Sequence, residues 1–142
     1  MSDVLHLTII TQEKPLLTED VSQVTVPSAD GELTILPGHI PLFTRVQVGE
    51  LRYKAAQKDA KEVIVVVSNG FLDVAPNNMV TILTDSASHE RDITLAQAED
   101  AKKRAEDAMK NRTDERNFII AEASLRKALM EIRVAQKRKN IG

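Results

Sequence analysis

Cysteine and tryptophan are absent from this 142-residue chain, and its only aromatic side chains are three phenylalanines and one tyrosine. The lack of cysteine excludes a thiol nucleophile, a disulfide framework and a cysteine-based zinc site, and it suits a reducing compartment. With so few aromatics the core has to be aliphatic. No apolar run approaches the roughly 18 residues that cross a membrane; the longest covers 63–67. The start, Met1-Ser2-Asp3, has no basic stretch followed by an apolar one, so no secretory signal is expected. Marks of a self-sufficient enzyme are missing too. There is no Gly-x-Ser-x-Gly element and no phosphate-binding loop, and His6, His39 and His89 lack metal-ligand spacing. No metal, cofactor or catalytic residue is expected.

Proline and glycine stop almost entirely at residue 86. All five prolines and four of the five glycines lie before it, and only Gly142 follows. The charge divides at the same place. Residues 1–85 hold six basic and eleven acidic side chains, and residues 86–142 hold 13 and 10. The second part is mildly basic, ending in Lys137-Arg138-Lys139, where cations suit a helix C-terminus or an acidic partner. Nucleic acid is a poor fit, because the basic residues alternate with Glu and Asp and stacking aromatics are missing.

The first part reads as short strands. Leu5, Leu7 and Ile9 alternate with polar residues, as do Val24 with Val26 and Leu33 with Ile35. The continuous run Glu62-Val-Ile-Val-Val-Val67 suits a strand covered on both faces. Asn69-Gly70 lies between two apolar runs and predicts a tight hairpin with positive φ at both residues. Close spacing of such strands predicts an antiparallel sandwich or barrel.

The second part reads as two helices. Phe118, Ala121, Leu125, Ala128, Ile132 and Ala135 step by 3 and 4 along one face, and Ala98, Ala101, Ala105 and Ala108 do the same. A short polar link at 111–114 predicts an antiparallel hairpin. Thr94-Leu-Ala-Gln97 fits a helix-capping box, and Asp114 suits the second helix start. An alanine seam buries little, on the order of 1 kcal/mol per residue pair. Such a hairpin is expected to be held only marginally in one place, with 86–92 as its hinge. From pattern alone, a static appendage or the docking arm of a generic coiled-coil adaptor fits equally.

Two motif groups narrow this. The first is Gly31-Glu-Leu-Thr-Ile-Leu-Pro-Gly-His-Ile-Pro-Leu42 with Val48-Gly-Glu-Leu51. The second is Ser68-Asn-Gly-Phe-Leu-Asp-Val74 with Asn78-Met-Val-Thr-Ile-Leu-Thr-Asp85. With Ala101-Lys-Lys-Arg-Ala-Glu106 and Ile132-Arg-Val134, they closely resemble the epsilon subunit of F-type ATP synthases over nearly the whole chain. The resemblance implies an α+β protein: a ten-stranded antiparallel β-sandwich over 1–85, a hinge at 86–92, and an antiparallel two-helix hairpin over 93–142. It implies a non-catalytic rotor subunit in the central stalk. The expected partners are the gamma subunit, the membrane c-subunit ring and the catalytic alpha/beta hexamer, without membrane insertion. The sandwich would couple the stalk to the ring, and a mobile hairpin would inhibit ATP hydrolysis. The location implied is the cytoplasmic face of a bacterial inner membrane or, alternatively, the stromal face of a thylakoid.

The same resemblance assigns residues. His39 and Leu42, at a Pro37-Gly38 turn, become candidates for contact with gamma, and Glu32 for contact with the c ring. Arg126, Lys127, Arg133 and Lys137, off the apolar stripe of the second helix, would meet an acidic segment of the catalytic subunits. An exposed pair contributes only about 0–1 kcal/mol, so several would have to act together. Some bacterial members bind ATP on the folded hairpin through a Glu and an Asp-x-x-Arg element. Ser88, Thr94 and Gln97 stand at those places here, so weak or absent ATP binding is expected.

Overall fold

The computed structural model describes residues 4–111 and 114–141, with side-chain surroundings as far as residue 137. Nine strands lie among the described residues, one fewer than the resemblance implies: β1 Leu5–Thr11, β2 Pro15–Ser28, β3 Gly31–Ile35, β4 Leu42–Val46, β5 Gly49–Ala55, β6 Glu62–Val67, β7 Gly70–Ala75, β8 Met79–Thr84 and β9 Ala87–His89. A 3-10 turn, Glu90–Asp92, then leads into helices α1 Leu95–Lys110 and α2 Glu115–Ile141. The expected α+β architecture, a strand sandwich followed by a helix pair, is what forms.

One layer holds β1, β8, β7 and β4, and the other holds β3, β5, β6 and β9. The 14-residue β2 belongs to both. Its first half pairs with β1 and its second with β3 and β5. Alternation along the strands fills the space between the layers. Leu5, Leu7, Ile9, Val24, Val26, Leu51, Val65, Val67, Leu72 and Ile82 are all buried in one aliphatic core. The ladders are antiparallel except one: β1 runs parallel to β8, pairing Thr8 with Thr81 and Ile10 with Leu83.

Asn69-Gly70 corrects a sequence expectation. Neither residue has positive φ, and β6 and β7 do not pair. The dipeptide carries the chain from one layer to the other. Glycine is required there for a different reason: a Cβ on Gly70 would run into the Leu83 carbonyl. The tight turn with two positive φ values is Asn77-Asn78, between β7 and β8. Asparagine tolerates that region through local hydrogen bonding.

Ala87–His89 stands where a flexible hinge is expected. It extends the sheet as β9 against β6, pairing Val65 with His89 and Val67 with Ala87. The His89 side chain then caps the 3-10 turn by accepting from the Arg91 N–H at 3.2 Å. Thr94 caps α1, its hydroxyl accepting from the Gln97 N–H at 3.2 Å. Asp114 does the same for α2 through the Asn117 N–H at 2.8 Å. Residues 112 and 113 of the polar link, and the side chains of Arg138 and Lys139, lie outside the described residues.

The apolar stripe of α2 buries Ala121, Ala128 and Ala135. Ala98 and Ala105 answer from α1, whereas Ala108 at its end is exposed. The double covering expected of β6 is also present. Val65 and Val67 face the sandwich core, and Val66 lies under α2 with Ile93, Val134 and Ala135. Ile64, Leu95 and Met130 pack around that cluster. The hairpin therefore lies folded on the sandwich. Among the described residues, four buried apolar side chains form this junction, against 16 in the sandwich core.

Candidate functional site

Three surfaces bring chemistry together. The first is the outer face of the β4–β7–β8–β1 layer. Phe43 and Phe71 point outward and stack with ring centroids 5.4 Å apart. Ladder register places Phe71 opposite Leu83, and Leu83 opposite Ile10. Phe43 is 66% exposed, which is costly for a large apolar ring unless it is covered. Leu36 and Ile40 add exposed apolar surface beside the Pro37-Gly38 turn. Of the expected contact residues, Leu42 turns the other way and packs on the core. His39 is half-buried and donates from Nδ1 to the Ile40 carbonyl at 2.7 Å. Strand alternation could have singled out Phe43 as the outward neighbour of Leu42. That a second aromatic stacks on it depends on the β4–β7 pairing, which the sequence does not display.

The second surface lies between α2 and the sandwich. Glu32 is exposed on β3, and its carboxylate accepts from Arg52 Nη1 on β5 at 2.7 Å. The hydrogen bond and the charge of Arg52 together hold the Glu32 carboxyl below its ordinary value. Arg52 also lies 3.8 Å from Glu62. Two residues back on the same face of β5, Glu50 sits 3.9 Å from Lys137 Nζ of α2. Arg133 of α2 lines the same cleft. The four expected regulatory cations thus differ in their surroundings. Lys137 faces Glu50. Lys127 is largely buried, donates to the Ser88 hydroxyl at 3.0 Å and lies 3.6 Å from Glu131. Arg126 is exposed and pairs with Glu122 at 2.8 Å along its own helix.

The third surface is a cavity of about 460 Å³ where the connector meets the helices. Ser88, Thr94 and Gln97 all line it, so three positions read from the nucleotide-binding pattern do converge. Its charge is acidic, with Asp92, Asp100 and Glu131 in the wall against Arg104. Arg104 is paired with Asp100 at 3.2 Å, and the Thr94 hydroxyl is spent on the helix cap. A polyphosphate needs an excess of positive charge and free donors, so these residues do not fit one. Above it, a groove of about 640 Å³ runs along the helix pair, lined by Ala101, Ala105, Ala108, Ala121 and the exposed Ile120. No cluster able to hold a metal ion occurs among the described residues.

Comparison with known proteins divides the chain at residue 90. Residues 4–90 match the family described as ATP synthase, Delta/Epsilon chain, beta-sandwich domain. Residues 91–136 match ATP synthase, Delta/Epsilon chain, long alpha-helix domain. An ATP synthase epsilon chain of Dehalococcoides mccartyi is 42% identical over 136 residues, 95% of this chain and 94% of the relative. The chain belongs to the ATP synthase epsilon chain family. Another epsilon chain, from Nitrosomonas europaea, is 36% identical over 142 residues, covering 100% of this chain and 99% of the relative. A chain in the Euglena gracilis mitochondrial ATP synthase structure (OSCP/F1/c-ring, rotational state 1) shares the fold, with a TM-score of 0.70 at 24% identity over 92% of this chain and 80% of its own. As a member of this family, the chain is a non-catalytic subunit of ATP synthase. Among the described residues, no helix is long and apolar enough to cross a membrane.

Proposed function

We propose that this epsilon chain is a regulatory rotor subunit whose sandwich is fixed in the central stalk and whose hairpin leaves the sandwich to restrain ATP hydrolysis. The observation that carries the reading is the disparity in how the two parts are held. Among the described residues the sandwich has a 16-residue core, and the hairpin rests on it through a cluster of four buried apolar side chains and one partly exposed ion pair. Burial of so little apolar surface leaves docked and undocked arrangements close in free energy.

The exposed Phe43–Phe71 face is the surface we assign to the gamma subunit, with His39 and Leu42 fixing the adjacent turn. Glu32, at the outer edge of the Gly31 turn, is assigned to the polar loops of the c ring. When the hairpin is down, Lys137 faces Glu50 of the sandwich and Lys127 donates to Ser88 of β9, besides its pair with Glu131 on its own helix. Undocking breaks the contacts with Glu50 and Ser88 and presents Lys127, Lys137 and Arg133, with the already exposed Arg126, to an acidic segment of the catalytic hexamer. The bacterial relatives support a position on the cytoplasmic face of the inner membrane. The acidic cavity at Thr94 and Gln97 supports weak or absent ATP binding, and micromolar affinity in calorimetry would contradict that.

The test is removal of the hairpin. Because β9 protects the edge of β6, the cut belongs after Asp92 rather than before Ala87. The assembled enzyme with residues 1–92 should keep its subunits and hydrolyse ATP faster than with the whole chain. Equal hydrolysis with the two chains would refute the regulatory role.

A further inference from the structure

The carboxylate under the hairpin has an unusual position. Glu50 lies opposite Val66 in the β5–β6 ladder, at the spot α2 covers. Its side chain is 13% exposed, and its Oε1 is buried without a hydrogen bond. The cation facing that oxygen is Lys137, at 3.9 Å and half exposed. This oxygen is under-satisfied, and a better donor would take it.

Arg52 is such a donor. It shares the outward face of β5 with Glu50, two residues along, where side chains are neighbours. A guanidinium offers five N–H groups in a fixed fork, against the point charge of a lysine. In this arrangement Arg52 bonds to Glu32 at 2.7 Å and makes a longer contact with Glu62, and Glu50 acts on it through charge alone.

We propose that Arg52 is a shared cation coupling the Gly31 turn to the hairpin. While Glu32 holds Arg52, Glu50 is left to Lys137 and α2 stays down. When a basic side chain of a partner takes Glu32, Arg52 turns to Glu50, displaces Lys137 and weakens docking. By linkage, a docked hairpin weakens the grip of that basic group on Glu32 by the same factor. The c ring as source of the basic group rests on the proposed function. The coupling itself belongs to the free chain and stands or falls there.

The absence of natural cysteine makes the test clean. V66C in the full chain places a thiol beneath α2, and its labelling by a maleimide reads how often the hairpin lifts. A separate chain carrying V80C, in the sandwich core, reads global opening. E32Q should raise V66C labelling by about 1.5- to 5-fold, the range of a partly exposed ion pair. V80C labelling should stay unchanged. R52M added to E32Q should return labelling to the level of V66C alone, because no guanidinium is left to compete. K137M should raise labelling by itself, and E32Q should then add nothing. Unchanged labelling in E32Q, persistence of the rise in E32Q/R52M, additive effects of E32Q and K137M, or an equal rise at V80C would each overturn the coupling.

Discussion

Replacing Val134 by alanine isolates the hairpin junction from the rest of the fold. Val134 is 2% exposed and sits in the four-residue junction, not in the sandwich core. The change removes two carbons from contact with Val66, Ile93 and their neighbours. At about 0.8 kcal/mol per buried methylene, with a small cavity contribution, docking should weaken by about 2 kcal/mol. That is roughly a 30-fold shift toward the undocked form, since 1.4 kcal/mol is tenfold. Two dyes attached through K58C and Q136C, both exposed positions, would report the separation of sandwich and hairpin by energy transfer. The one tyrosine, Tyr53, is buried in the sandwich, so its near-ultraviolet signal follows sandwich unfolding separately. V134A should lower energy transfer while leaving the urea midpoint of the tyrosine signal within error. A tyrosine midpoint that falls by the full 2 kcal/mol would mean that hairpin and sandwich unfold as one unit, and the reasoning would fail.

In the sandwich, Leu72→Ala should cost about 2–5 kcal/mol of global stability, seen as a lower urea midpoint for the tyrosine signal. Gly70→Ala should be destabilising although it adds only a methyl group, because the Leu83 carbonyl occupies that space; the same melt checks it. F43D should leave the melt unchanged and abolish co-purification with the other stalk subunits. Acid should loosen the connector. Burial, followed by the charge of Arg91, lowers the His89 pKa, although Glu19, Glu90 and Asp92 oppose it. Its neutral Nδ1 caps the 3-10 turn, and its Nε2 faces the Tyr53 hydroxyl at 3.5 Å. A histidine pKa depressed by folding gives stability that is full above the unfolded value of about 6.5 and is lost as pH falls through the folded value. The protection of the β9 amides, after correction for the intrinsic pH dependence of exchange, should therefore fall below about pH 6.5 in the wild-type chain, and much less in His89→Gln.

The parts visible in the sequence are those governed by local periodicity. Alternation in β1, β2 and β3, the uninterrupted apolar run of β6 and the alanine stripes of both helices each report a face that meets apolar surroundings. The Thr94 cap was equally visible, because it needs only a hydroxyl three residues before an amide. Non-local features were not. Asn69-Gly70 has the composition of a hairpin turn, yet β6 pairs with β5 and β9, so pairing rather than propensity decides its role. The parallel β1–β8 ladder joins segments about seventy residues apart in sequence, and no turn residue signals it. Ala87–His89 is too short and polar to read as a strand, and it becomes one because the edge of β6 offers unpaired backbone groups. Charge roles were the least visible. The mutual roles of Glu32, Glu50 and Arg52 do not show until β3 and β5 flank β2 and α2 packs on β5.

A reversible lock gives the most direct test of a hairpin that must leave the sandwich to act. V66C and V134C place the only two thiols in the chain in one buried cluster, where oxidation can join them. In the assembled ATP synthase, oxidation should abolish epsilon-dependent inhibition of ATP hydrolysis, and reduction should restore it. Identical inhibition in the locked and unlocked states would contradict the mobile hairpin.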